Sequence, residues 1–123
     1  MNIENFGLIL FQIWYFDGDE RFRFLLPPYS KDASGVMYLF SLSDKETLLH
    51  LDVWLPIMRR FNPSVPIMVV GTRISRNDTK SVQKSEVAEI IRPRGVNEYL
   101  ELIIEVEKNV DEIFRAMADL MIF

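Results

Sequence analysis

Apolar residues fall into two patterns along this chain. Some runs are apolar at consecutive positions: residues 6–16, with Leu8, Ile9, Leu10, Phe11, Ile13 and Trp14; then Val36-Met37-Tyr38-Leu39-Phe40; then Ile67-Met68-Val69-Val70. Successive side chains of an extended segment point to opposite faces, so such runs need cover on both sides, as strands of a parallel sheet have beneath flanking helices. Pro63 and Pro66 precede the third run, where a missing backbone donor is tolerated at a strand entry.

Elsewhere the apolar positions recur every three or four residues. Leu48, Leu51, Leu55 and Met58, widened by Trp54 and Phe61, predict a helix from Ser43 to about Phe61. Ser43 and Glu46 have the spacing of a capping box at its start, and Pro56 is expected to bend it. Val82, Val87, Ile90 and Ile91 predict a second helix that begins at Ser81 and stops at Pro93-Arg94-Gly95. A last helix from about Val110 carries Val110, Ile113, Phe114, Met117, Leu120, Met121 and Phe123, more apolar surface than one narrow stripe requires. Strands alternating with helices imply an α/β domain of three layers, with a mainly parallel sheet of about four strands.

Composition leaves that picture intact and narrows the partners. One domain over residues 1–123, with a single core, suits the length. The apolar share is 49% and the charged share 26%, as in ordinary globular domains. Net charge is −4, which disfavours nucleic acid and acidic membrane surfaces. Cysteine is absent, which removes disulfide and thiolate chemistry. No run has the length of a membrane span and no leader pattern opens the chain, so a cytoplasmic location is expected.

Isolated chemical candidates are weak. Asp17, Asp19 and Glu20 cluster at the end of the first apolar run, where α/β proteins place ligands, yet a magnesium site of this type needs phosphate co-ligands. A solvated turn is the simpler reading. His50, the single histidine, has no nucleophile arranged with it and reads as a solvent-facing helical residue. Asn77-Asp78-Thr79 reads as a polar loop.

Taken in order, several segments do carry a resemblance. The run Gln12-Ile13-Trp14-Tyr15-Phe16-Asp17-Gly18-Asp19-Glu20-Arg21-Phe22-Arg23, then Tyr29 through Met37, Asn62-Pro63 through Val70-Gly71, Glu98-Tyr99-Leu100-Glu101-Leu102, and Asn109-Val110-Asp111-Glu112-Ile113-Phe114 together resemble a Ras-like GTPase of the Rab type. The resemblance implies a P-loop NTPase G domain without its first strand and helix, because no Gly-x-x-x-x-Gly-Lys-Ser/Thr run occurs in these 123 residues. It also implies that Tyr15 stands where the family places a magnesium-serving Asp, and Asp19 where a Gln positions the attacking water.

By the same resemblance, Gly18, Thr72, Arg73 and Ser75 are vestigial nucleotide-binding positions, and Ile103-Ile104-Glu105 replaces the family's base-binding turn. The family's base-reading Asp accepts two hydrogen bonds, and the Ser75 hydroxyl cannot reproduce that bidentate acceptor. The expected function is a pseudo-GTPase module without catalytic residues, metal or cofactor. The alternative is a GTPase that still holds GTP or GDP with Mg²⁺, or is completed by a partner chain supplying the phosphate loop. Arg21, Phe22, Arg23, Phe24 and Tyr29 fall on the family's second switch and are expected to meet a protein partner, Phe24 or Tyr29 acting as an anchor. Loss of the central first strand and first helix would uncover the sheet and the last helix, so a homodimer is expected.

Overall fold

The computed structural model describes residues 2–3, 7–8, 31–75, 79–80 and 82–122. Its centre is a parallel sheet of strands β3 (Val36–Ser41), β4 (Ile67–Arg73) and β5 (Glu98–Ile103), in the order β3-β4-β5. The register pairs Tyr38 with Val69 and Val69 with Tyr99, and then Phe40 with Gly71 and Gly71 with Glu101. A separate antiparallel ribbon pairs β1 (Asn2–Ile3) with β2 (Gly7–Leu8). The first apolar run was expected to supply a strand through residue 16; beyond Leu8 it lies outside the described residues.

Helices cover both faces, as consecutive apolar residues demand. On one face α1 (Lys45–Leu49), α2 (Leu51–Phe61) and α3 (Lys84–Ile91) pack Leu48, Leu51, Trp54, Leu55, Met58, Val87 and Ile91 against Phe40, Ile67 and Val69. On the other, α4 (Glu107–Ile122) sets Ile113 and Met117 against Met68 and Val70. Burial of each such side chain contributes roughly 1.5–3 kcal/mol before chain entropy is counted. The α/β fold expected from the apolar pattern is therefore present, with three parallel strands among the described residues.

Helix boundaries depart from expectation for local reasons. The Ser43 hydroxyl lies 2.8 Å from Ser41 Oγ, and Asp44 caps α1 instead, its Oδ1 accepting from the Glu46 amide at 3.1 Å. The expected single helix is divided at His50, where the Val53 amide donates to the His50 carbonyl three residues back. Pro56 lies inside α2 without interrupting it. The division falls at His50 and not at Pro56, whose missing donor concerns the Asp52 carbonyl inside α2. α3 starts at Lys84 rather than Ser81, because Val82 is fully buried and its amide reaches the Leu42 carbonyl at 3.3 Å, drawing the chain across the sheet before it can coil. Glu86 Oε1 then accepts from the Gln83 amide at 3.4 Å. A 3₁₀ turn (Arg92–Arg94) ends at Gly95, whose φ of 68° is the left-handed conformation that favours glycine.

Gly71 is needed for close approach. A Cβ there would lie 2.7 Å from the Tyr99 hydroxyl, 2.9 Å from Leu42 Cδ2 and 3.0 Å from Phe40 Cζ. Gly71→Ala should therefore destabilise the fold by about 1–3 kcal/mol through overpacking. Urea denaturation of Gly71→Ala and of Gly71→Ala/Tyr99→Phe checks this, the second change recovering part of the loss.

Candidate functional site at the carboxyl ends of the strands

Parallel strands place all their carboxyl ends at one edge, where α/β sheets bind ligands. Backbone pairing continues there past the strands themselves. The Ile104 amide donates to the Arg73 carbonyl at 2.9 Å and the Glu105 amide to the Ile74 carbonyl at 3.1 Å. Segments 72–75 and 103–105 thus lie side by side. From the opposite flank the Leu42 amide donates to the Thr72 carbonyl at 2.9 Å. Asn109 secures the second segment to α4: its Oδ1 accepts from the Ile103 amide at 2.9 Å, while its own amide donates to the Val106 carbonyl at 3.1 Å.

The side chains at this edge are mixed. Thr72 Oγ1 donates to the Phe40 carbonyl at 3.0 Å, so its proton is committed inward. Arg73 and Ser75 are half-buried. Ile74 and Ile104 are 63% and 57% exposed and give the edge an apolar rim. Among the described residues no group of three His, Asp or Glu could hold a metal ion.

Beneath the edge lies a polar group that sequence reasoning missed. Lys80 Nζ is 3.0 Å from Glu101 Oε1 and 3.3 Å from Oε2, and the Tyr99 hydroxyl donates to Oε2 at 3.2 Å. Burial pushes the Tyr99 hydroxyl well above its ordinary pKa, and the Glu101 charge and hydrogen bond push it further in the same direction. The Tyr99 ring also stacks on Phe40, with centroids 6.2 Å apart. Tyr38, which donates to the Thr47 carbonyl at 2.7 Å, is pushed up to about 12 by burial. Both phenols remain protonated donors at neutral pH, and the Lys80–Glu101 contact joins the loop before α3 to β5. The available signal was Glu101 itself, a charge between Leu100 and Leu102 on the same strand face as Tyr99.

Of the residues singled out from sequence, Thr72, Arg73 and Ser75 are brought together with Ile103, Ile104 and Glu105 at one edge. Gly18, the segment with Arg21, Phe22, Arg23, Phe24 and Tyr29, and the carboxylates Asp17, Asp19 and Glu20 lie outside the described residues. His50 is exposed, at the junction of α1 and α2 rather than inside one helix. No helix among the described residues is long and apolar enough to cross a membrane. Compared with known families, residues 3–122 match the Ras family.

Lys80 and Glu101 have side chains only 18% and 21% exposed. Glu101→Leu leaves a largely buried ammonium unpaired and should cost roughly 2–4 kcal/mol, whereas Lys80→Met/Glu101→Leu should recover most of that loss. A double-mutant cycle in urea measures the coupling, and independent, additive effects would show that the pair does not act as a unit.

Proposed function

The chain belongs to the Ras family, and on that premise we propose that it acts as a pseudo-GTPase, a protein-interaction module that works without hydrolysing GTP. The observation that carries this reading is the edge just described. The two segments that the family uses to grip a base are juxtaposed, yet they present Ser75 and the exposed Ile74 and Ile104. A serine hydroxyl at position 75 cannot accept the paired donors of a guanine as a carboxylate does, and the exposed carboxylate of this edge, Glu105, stands on the other segment beside Ile74. These 123 residues contain no Gly-x-x-x-x-Gly-Lys run to cradle phosphates, and Tyr15 replaces the metal-serving carboxylate. On this reading Gly18, Thr72, Arg73 and Ser75 are remnants of a binding site. The segment carrying Arg21, Phe22, Arg23, Phe24 and Tyr29 then meets its protein partner without nucleotide control.

Self-association belongs to the same proposal. Leu39, in the middle of β3, is 52% exposed although its neighbour Val70 on β4 is fully buried. Among the described residues β3 pairs with β4 alone. Val110 and Met121 on α4 are also exposed. A symmetric dimer would cover this face.

Titration calorimetry of the 123-residue chain with GTP and with GDP, in excess Mg²⁺, should give no measurable heat of binding. Each lost charged contact costs about 1.5–3 kcal/mol, so micromolar or tighter binding would show that the nucleotide site survives. Light scattering should give a dimer mass that falls on Leu39→Glu substitution; a 14.5 kDa monomer at high concentration would remove the self-association.

A further inference from the structure

Sulfur in this chain is confined to thioethers, since the chain has six methionines and no cysteine. Met37, Met68, Met117 and Met121 gather on the α4 face of the sheet. Met68 and Met117 are buried there, Met37 packs against them, and Met121 adjoins Met117 over Gly35, the residue that leads into β3. A Cβ on Gly35 would collide with Met117 Cε and would lie 2.8 Å from Met121 Cγ and 3.2 Å from its Sδ. Both thioethers therefore close over one point, and the last two turns of α4 meet the entry of β3 through them.

Exposure separates the four chemically. Met68 and Met117 are 0% and 4% exposed and Met37 is half-buried, whereas Met121 is 36% exposed. The adaptability of an unbranched thioether accounts for the packing of all four. Susceptibility to oxygen transfer depends on access, and the sulfoxide that results is polar where the thioether was apolar. Met121 combines the two conditions. Its side chain is open to water, and it lies against a buried neighbour of the same chemistry.

We propose that Met121 is a site of oxygen transfer from hydroperoxides, and that its sulfoxide releases the end of α4 from Gly35 and opens Met117 to the same reaction. The Sδ lone pair attacks one peroxide oxygen, and the S–O bond forms as the O–O bond breaks. Sulfur is oxidised by two electrons, and the other oxygen of hydrogen peroxide departs as water with the proton of the transferred hydroxyl. The sulfoxide oxygen is a strong acceptor, and the buried residues of this layer, Met68, Val70, Ile113 and Met117, offer it no side-chain donor. An acceptor without a donor is costly to bury, so the oxidised side chain turns to water. Gly35 has no side chain to take its place, and Met117 loses its cover. A dithiol reverses the step, the oxygen leaving as water and the dithiol becoming a disulfide. The proposal concerns the single chain, the form that dilution leaves, and is independent of self-association and of nucleotide binding.

The test exposes the whole chain to hydrogen peroxide, at a dilution where light scattering gives the 14.5 kDa mass. Peptide mass follows each methionine separately. Met121 should react first of the four, at least about tenfold ahead of Met117 and Met68, and Met117 should follow after a lag. In the singly oxidised chain, amide exchange over residues 119–122 should quicken at least about tenfold while β4 is unchanged. Methionine sulfoxide reductases with a dithiol should restore the slow exchange. Met121→Leu keeps an apolar cover and should leave Met117 slow, whereas Met121→Gln, polar like the sulfoxide, should let Met117 react without the lag. The unaltered chain decides the order of reaction without any variant. The proposal is overturned if Met37, Met68 or Met117 reacts as fast as Met121, if Met117 reacts equally in the two variants, or if exchange over residues 119–122 is indifferent to oxidation.

Discussion

Strand β4 is hydrogen-bonded along both edges and fully buried on both faces, with Ile67, Met68, Val69 and Val70 at 0% exposure. Backbone donors and acceptors so placed can be satisfied only by neighbouring strands, and the side chains only by a layer above and a layer below. β3 and β5 meet the first requirement. α1, α2 and α3 on one side and α4 on the other meet the second. Parallel pairing also requires each return crossing to pass over a face, and that is why the helices sit where they do. The same geometry collects the strand carboxyl ends at one edge, so the placement of segments 72–75 and 103–105 follows from burying β4.

Much of this was legible because the relevant signal is periodic. The consecutive apolar residues of β3 and β4 and the three-and-four spacing of α2 follow from side-chain geometry and do not depend on distant residues. What was not legible depends on tertiary contacts. Ser43 has the better spacing for a capping box, but its hydroxyl faces Ser41 and the cap passes to Asp44. Ser81 looks like a helix start, but Val82 is pulled into the core and the helix waits until Lys84. Of the candidate site, Thr72, Arg73 and Ser75 were found through likeness to a family. Lys80 and Glu101 were not, since nothing local says that a charge in a strand will meet a lysine from a loop 21 residues earlier.

That Lys80–Glu101 pair sits in a layer otherwise built from apolar residues, where a pair of charges gains little net stability and an unpaired one loses much. Its value is positional. Glu101 receives both Lys80 and Tyr99, and Tyr99 stacks on Phe40, so the loop leading to α3 is joined to β5 and through Phe40 to β3. Gly71 makes this possible by contributing no side chain at the point where the rings of Phe40 and Tyr99 pass over β4.

The edge is consequently held by the protein itself. In a nucleotide switch, phosphates and a metal ion hold loops in their binding form and release them on hydrolysis. Here the Leu42, Ile104 and Glu105 amides close onto the carbonyls of Thr72, Arg73 and Ile74, and Asn109 closes the following turn from its side chain. Those amides and carbonyls are paired within the chain, and the side chains they leave outermost include Ile74 and Ile104. The arrangement of this edge thus follows from the sheet that carries it, since the strand ends that β4 brings together are closed by their own backbone pairing.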